Sequence, residues 1–349
     1  MYRIGILGNC CTHGAAMASL KNRPDVEVLT GYERDPRRAG ELEQSIGIPL
    51  AAGYDEVLER SDVDIIVLTT DPDDKAEMVE KCCAAGKHLL LNKPLCASLD
   101  QAQRIVRAVE SSDIRCVFDI PMVKFLPVFA RIRSEVQQGQ YGRPLSYHHA
   151  FGMTFAFDFP IRDLWPERFD PPEKAGGGEM TNMGCYAVDY VVTLFGRPQS
   201  VEAKWRKSWK EYREADVENF GQILLDYGDF YALLSVGKQQ LAEPRQGNNV
   251  ITVLFENRNF IIDAYTNTVI IDGVARNPSE YPGDCEVESS FDQLVRCIET
   301  DSEPDSNVET AAVGVEVLMA AYRSIVREGE RVTLPLDRGD NPLSGVQAA

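Results

Sequence analysis

Val63-Asp64-Ile65-Ile66-Val67-Leu68-Thr69-Thr70, followed by residues 74–85 (DKAEMVEKCCAA), Gly86 and His88-Leu89-Leu90-Leu91, decides the fold. The first run is continuously apolar over Ile65–Leu68, as a strand buried on both faces is. The second has helical spacing and stops at a glycine, the usual helix terminator. The third is another short apolar run. Strand, helix and strand in succession predict a βαβ unit, whose two strands lie parallel. The same alternation extends outward on both sides. Upstream, residues 3–8 (RIGILG) read as strand, 14–21 as helix, 26–32 (VEVLTGY) as strand and 36–46 as helix, with Pro36 suited to a first turn. Downstream, residues 98–111 read as an amphipathic helix with Ser98 as N-cap, and 115–118 as a further strand.

The pattern changes after residue 122. A helix is predicted over 126–138, a strand over 144–151 and a helix near 179–195. Strand-like runs then follow without helices between them: 199–206, 221–226, 229–236, 249–256, 259–264 and 268–271. Tyr227-Gly228-Asp229 and Asn257-Arg258 read as hairpin turns. Helices near 289–300 and 308–328 close the chain. The fold class expected is α/β in two domains. Residues 1–122 form a doubly wound parallel sheet. Residues 123–349 form an α/β domain with a large open, mostly antiparallel sheet, whose flat face is expected to pair with a second copy as homodimer or homotetramer.

Composition narrows the function. The 349 residues are 44% hydrophobic and 26% charged, with 36 basic against 54 acidic side chains, or −18. Such a field repels nucleic acid and anionic membranes, so neither is expected as a partner. No apolar run reaches the length of a membrane span. No charged-then-apolar leader precedes the first strand, so a cytoplasmic location is expected. The nine cysteines include no CxxC, and among the four histidines there is no HExxH. Reduced thiols and no metal site are therefore expected.

Four places carry candidate chemistry. The turn after the first strand is Gly8-Asn9-Cys10-Cys11-Thr12-His13-Gly14. Gly8 sits at the first position of a GxGxxG dinucleotide fingerprint, with Cys10 and His13 at the second and third. Thr12 and His13 are candidate donors to a pyrophosphate, although an ordinary βα turn fits these residues as well. Glu33 ends the second strand, where an acid accepts from ribose hydroxyls and disfavours a 2′-phosphate. Arg34 beside it is able to attract that phosphate, and the balance favours NAD over NADP. Asn92-Lys93-Pro94 follows the 88–91 strand, at the sheet edge where ligands bind; a surface lysine before a turn is the plainer role. Finally, Gly176-Gly177-Gly178 opens a predicted helix on which Asn182, Tyr186 and Asp189 share one face, while Tyr186 also suits a core. Residues 151–172 are rich in aromatics. Phe155, Phe157, Trp165 and Phe169 are candidates to stack on a sugar ring, and Arg162 and Arg168 to meet an acid; a packed loop is the alternative.

Together these segments resemble the glucose–fructose oxidoreductase / inositol dehydrogenase (Gfo/Idh/MocA) family. Val63–Val67 with Thr69-Thr70-Asp71-Pro72 is similar to its strand and A-T-P loop. Ala85-Gly86-Lys87-His88 with Asn92-Lys93-Pro94-Leu95 resembles A-G-K-H-V…E-K-P-L. Lys124-Phe125-Leu126-Pro127 resembles R-F-x-P, and 176–189 resembles G-G-G-x-x-x-D-x-G-x-H-x-x-D. Asn92 stands where the first signature has glutamate, Asn182 where the second has aspartate, and Tyr186 where many members have histidine.

The resemblance implies a Rossmann domain, a second α/β domain and an active site between them. It implies NAD(P)-dependent oxidation or reduction of a secondary alcohol of a sugar, cyclitol or polyol. Gly8, Cys10, Thr12, His13, Glu33, Arg34, Thr70, Pro72, Asn92 and Lys93 would hold the cofactor. Lys93, Tyr186, Asn182 and Asp189 would act on the substrate. Two other activities fit the same resemblance: a redox-neutral cycle on a glycoside with tightly held NAD, and a non-catalytic sensor of the same fold.

Overall fold

The computed structural model describes residues 1–243, 247–266, 268–277, 281 and 288–344. It divides into two compact units: Met1–Asp119 with Ser289–Ala312, and Ile120–Glu288 with Val313–Ala349.

The first unit holds a five-stranded sheet in the order β2-β1-β3-β4-β5. Its strands are β1 (Tyr2–Leu7), β2 (Val26–Tyr32), β3 (Ile65–Leu68), β4 (His88–Asn92) and β5 (Cys116–Asp119). Every pairing is parallel, so this is the doubly wound sheet the alternation implied. β3 is buried at each of its residues. The strand order reverses between β1 and β3, which puts the ligand crevice of such a sheet at their carboxyl ends. Gly8 and Thr69-Thr70 lie there.

The helix Pro36–Ile46 starts as its sequence suggests: Asp35 accepts from the Arg37 N–H at 2.9 Å with Pro36 in the first turn, and Gly47 closes it in a left-handed conformation. Ile4, Ile6, Leu42, Ile46, Ile65 and Val67 form one core cluster with Phe291 and Leu294 of the helix Ser290–Thr300. That late helix thus packs on the first sheet, away from its neighbours in sequence. A division at residue 122 misses it, because only non-local contacts reveal it.

The second unit holds a nine-stranded sheet, ordered β13-β12-β11-β10-β6-β9-β8-β7-β14 among the described residues. It comprises β6 (Pro144–Ala156), β7 (Ser200–Arg206), β8 (Phe220–Asp226), β9 (Tyr231–Leu241), β10 (Asn248–Phe255), β11 (Asn259–Asp263), β12 (Thr268–Ile271), β13 (Val274–Arg276) and β14 (Val332–Thr333). The pairing of β6 with β9 is parallel and the others are antiparallel. β10 shows the period of two: Asn249, Ile251, Val253 and Phe255 are buried and alternate with more exposed residues. The strand predicted over 144–151 runs on to Ala156. The helix predicted over 179–195 is broken at Met183 into Glu179–Asn182 and Gly184–Phe195. No described helix is long and apolar enough to cross a membrane.

Candidate functional site

The turn after β1 is built by close approach. Gly8 has φ +91, and a Cβ there would lie 2.4 Å from the Thr70 amide nitrogen, so only glycine fits. Asn9 is fully buried and stitches the turn. Its N–H donates to Glu33 Oε2 at 2.5 Å, its Nδ2 to the Arg38 carbonyl at 3.2 Å, and its Oδ1 accepts from the Ala15 N–H at 2.8 Å. Cys10 donates its N–H to the Thr69 carbonyl at 3.0 Å. Cys11 and Thr12 both adopt left-handed conformations, φ 49 and 64, at about 1–2 kcal/mol of strain each.

The helix therefore begins at His13, and Gly14 rather than His13 does the work of the third fingerprint glycine. A Cβ on Gly14 would sit 2.1 Å from the Gly8 carbonyl oxygen. Gly14 lies one position beyond the GxGxxG spacing from Gly8, which hid it from a reading by motif. Thr70 and Pro72 are buried at the end of β3. The Thr70 hydroxyl has no hydrogen-bond partner among the described residues. A backbone stripped of side chains at 8 and 14, together with an orphaned buried hydroxyl, suits a dinucleotide's polar linkage.

Glu33 and Arg34 already carry protein partners. Glu33 accepts from the Asn9 N–H, from the Asp35 N–H at 2.7 Å and from Arg38 Nη2 at 3.0 Å. Arg38 grips Asp71 with both Nη atoms at 2.8 Å. Arg34 pairs with Asp74 at 2.7 Å. Arg38, Asp71 and Asn9 were not legible as site residues, since the helix and the loop that bring them meet only in the fold.

Lys93 follows β4 and is 5% exposed. Its backbone N–H donates to the Asp119 carbonyl at 3.2 Å. Asn92 and Asp119 are register partners, and Asn92 Nδ2 donates to Asp119 Oδ2 at 2.7 Å. Ser290 Oγ donates to the other carboxylate oxygen at 2.6 Å. Burial pushes the Asp119 carboxyl above the ordinary range, against the pull of Ser290, Asn92, Lys75 and Lys93. Lys75 is almost fully buried, and its ammonium donates to the carbonyls of Asn92 and Pro94, pinning the turn that carries Lys93.

In the second unit Tyr186 is 5% exposed and its ring lies 5.2 Å from that of Phe151. Its two expected companions on the helix have other engagements. Asp189 forms a buried ion pair with Lys124 at 2.9 Å, which ties two of the resemblance segments together. Asn182, in the separate short helix, donates to Glu179 Oε2 at 2.8 Å. Glu179 is fully buried, accepts from Tyr212 at 2.5 Å and pairs with Lys238 at 3.3 Å. Burial opposes its charge, but Lys238 and Arg168, with Tyr212 and Asn182, hold its carboxyl below the ordinary range. Glu218 accepts from the Gly178 and Met180 N–H groups and from Tyr322, and burial pushes it up to about 7. The aromatic loop packs into a core of its own: Phe155, Trp165 and Phe169 lie against Trp209 and Tyr212, and Arg162 stacks on Phe169 at 4.6 Å, whereas Phe157 is exposed.

Known proteins agree with this architecture. Trans-1,2-dihydrobenzene-1,2-diol dehydrogenase of Xenopus tropicalis is 27% identical over 215 residues, covering 60% of this chain and 61% of that protein. The D-xylose 1-dehydrogenase (NADP(+)) 2 of Haloferax volcanii is 26% identical over 224 residues, covering 64% and 65%. The chain thus spans about three fifths of the length of these curated relatives. The WlbA dehydrogenase of Bordetella pertussis, solved with NADH and UDP-GlcNAcA, shares the fold with a TM-score of 0.77 at 20% identity, covering 96% of this chain and 99% of that one. A levoglucosan dehydrogenase solved with NADH and levoglucosan gives 0.79 at 14% identity, covering 96% and 100%. Residues 2–119 match the oxidoreductase family with the NAD-binding Rossmann fold, and residues 129–256 match the GFO/IDH/MocA C-terminal domain; the chain belongs to the Gfo/Idh/MocA oxidoreductase family.

Proposed function

We propose that the protein is a nicotinamide-dependent dehydrogenase or reductase acting on a secondary hydroxyl or ketone of a sugar, polyol or diol. The observation that carries this reading is Lys93. It is a buried lysine at the carboxyl end of a parallel strand, pinned by Asp119 and Lys75, on the same sheet as a turn whose Gly8 and Gly14 admit a dinucleotide. The dihydrodiol and xylose dehydrogenases among its relatives support the substrate class.

When bound, the nicotinamide supplies the hydride acceptor or donor. The chain supplies the proton chemistry. Tyr186 takes the hydroxyl proton during oxidation, and the Lys93 ammonium favours negative charge developing on the substrate oxygen. Asn182 and Asp189 act indirectly in this reading, through Glu179 and Lys124. Thr12, His13, Cys10, Thr70 and Asn92 line the cofactor.

NAD is the preferred form. Glu33, Asp71 and Asp74 outnumber Arg34 and Arg38, so the field at the end of β2 is negative and repels a 2′-phosphate. The outer sheet face exposes Tyr231, Leu254 and Ile261 and pairs with a second copy, giving a homodimer or homotetramer.

Fluorescence titration with NADH and NADPH, after a check for cofactor released on denaturation, tests the reading. Micromolar binding of NADH is expected, weaker binding of NADPH, and turnover on a sugar or diol. Tyr186→Phe and Lys93→Met should each lose more than half of kcat. Neither binding nor release would leave a non-catalytic member of the family.

A further inference from the structure

Asn92 is 6% exposed, and its two side-chain ends differ. Nδ2 is engaged by Asp119, while Oδ1 is buried with no hydrogen-bond partner among the described residues. A buried carbonyl oxygen left unpaired is disfavoured, so such a group in a native fold calls for a partner. The orientation is not arbitrary. The ionised Asp119 carboxylate only accepts hydrogen bonds, so in that state it meets Nδ2 and not Oδ1. Ser290 Oγ occupies the other carboxylate oxygen. The backbone repeats the link, since the Lys93 N–H donates to the Asp119 carbonyl. The charged groups that act on Asp119 within this unit are Lys75 and Lys93, and Lys75 spends its ammonium on two carbonyls of the turn.

We propose that Asp119 is a positioning residue: its carboxylate locks the Asn92 carboxamide so that Oδ1 accepts a hydrogen bond from a hydroxyl or amide N–H of the bound cofactor or substrate, beside Lys93. The Thr70 hydroxyl, orphaned at the end of the neighbouring strand, offers a second contact of the same kind. This inference rests on the dehydrogenase reading for its ligand, but not for the lock itself.

The test is a reciprocal exchange. In Asp119→Asn, Ser290 keeps the new amide's oxygen, its Nδ2 faces Asn92, and Asn92 turns over to present the wrong end. NADH affinity, or the substrate KM if the contact is to substrate, should worsen about tenfold, the usual loss for one hydrogen bond of this kind. Asn92→Asp alone sets two carboxylates face to face and should do worse. The pair Asn92→Asp with Asp119→Asn restores one donor, one acceptor and an outward oxygen. It should recover wild-type binding to within about threefold, which a merely structural role would not predict. A change in NADH affinity assigns the contact to the cofactor, and a change in KM alone assigns it to the substrate.

A second readout needs no ligand. Exchange of the Asn92 carboxamide protons, followed by NMR and assigned by their loss in Asn92→Asp, should be slow in the parent and faster in Asp119→Asn. Wild-type protein that binds neither dinucleotide would sink the dehydrogenase reading and leave this exchange to decide the lock. Unchanged exchange, or Asp119→Asn that binds and turns over as the parent does, overturns it.

Discussion

The two units solve one problem twice, with different results. In each, an asparagine stands where the family signature has an acid, and a buried carboxylate accepts from its Nδ2, on the neighbouring strand for Asn92 and on the same short helix for Asn182. Asp119 meets Asn92 at 2.7 Å, and Glu179 meets Asn182 at 2.8 Å. Asp119 is held by a carboxamide and a hydroxyl, and its carboxyl is raised. Glu179 touches a lysine at 3.3 Å, and its carboxyl is lowered. Burial is nearly equal at the two sites, so burial does not set the difference. A cation in direct contact does. Glu218 is in keeping with this within the second unit: it has N–H and O–H donors but no cation in contact among the described residues, and burial, with the Glu179 charge nearby, raises it.

The largest test of that rule is Glu179→Gln. It leaves Lys238, 4% exposed, without its carboxylate, with the rings of Trp165 and Phe155 facing the ammonium at 4.7 and 5.8 Å. Breaking a buried pair from one side costs about 3–5 kcal/mol. Urea unfolding should show that loss, and adding Lys238→Met should recover most of it. If the single variant is as stable as the parent, the lysine does not hold Glu179, and the contrast between the units fails.

What the sequence discloses follows from distance along the chain. The βαβ stretch over 63–91 disclosed the first sheet because each element packs on the next. Gly8 and Lys93 were legible because a strand end precedes each. Gly14 was not, since it lies one position off the fingerprint spacing, and its need shows only as a clash with the Gly8 carbonyl. Asp119 and Glu179 were also hidden. Asp119 reaches Asn92 across neighbouring strands 27 residues apart, a pairing no local pattern encodes. Asn182, Tyr186 and Asp189 read as one polar face because the break at Met183 leaves no mark in the spacing; Asn182 and Asp189 are instead engaged by Glu179 and Lys124.

A smaller effect separates the two sites from the hydroxyl side. Ser290→Ala removes one of the two side-chain donors to Asp119. A hydrogen bond to a charged group is worth about 1.5–3 kcal/mol, so a loss near the lower end is expected because the carboxyl can take up a proton instead. Tyr212→Phe removes the matching donor to Glu179. There protonation is opposed by Lys238, so the carboxylate stays charged and the loss should be the greater of the two. Equal losses in the same unfolding assay would mean that the cation makes no difference to how each carboxylate uses its donors.

The slope of stability against pH gives the smallest signal and the sharpest sign. Glu179, lowered, stabilises the fold above the ordinary carboxyl value, and that contribution is lost as pH falls through its folded value. Glu218 is raised from 4.5 to about 7, so the folded chain binds its proton more tightly than the unfolded chain does. Its contribution is complete below 4.5 and is lost as pH rises towards 7. Glu218→Gln has no proton to exchange, and unfolding measured across that window should show stability falling less with rising pH than in the parent. Glu179→Gln should narrow that window, because the Glu179 charge is among the causes that raise Glu218, and it should also remove the slope on the acid side. If Glu179→Gln leaves the acid side of the curve as it is in the parent, Glu179 is not held charged in the fold, and contact with Lys238 is not what sets the two carboxylates apart.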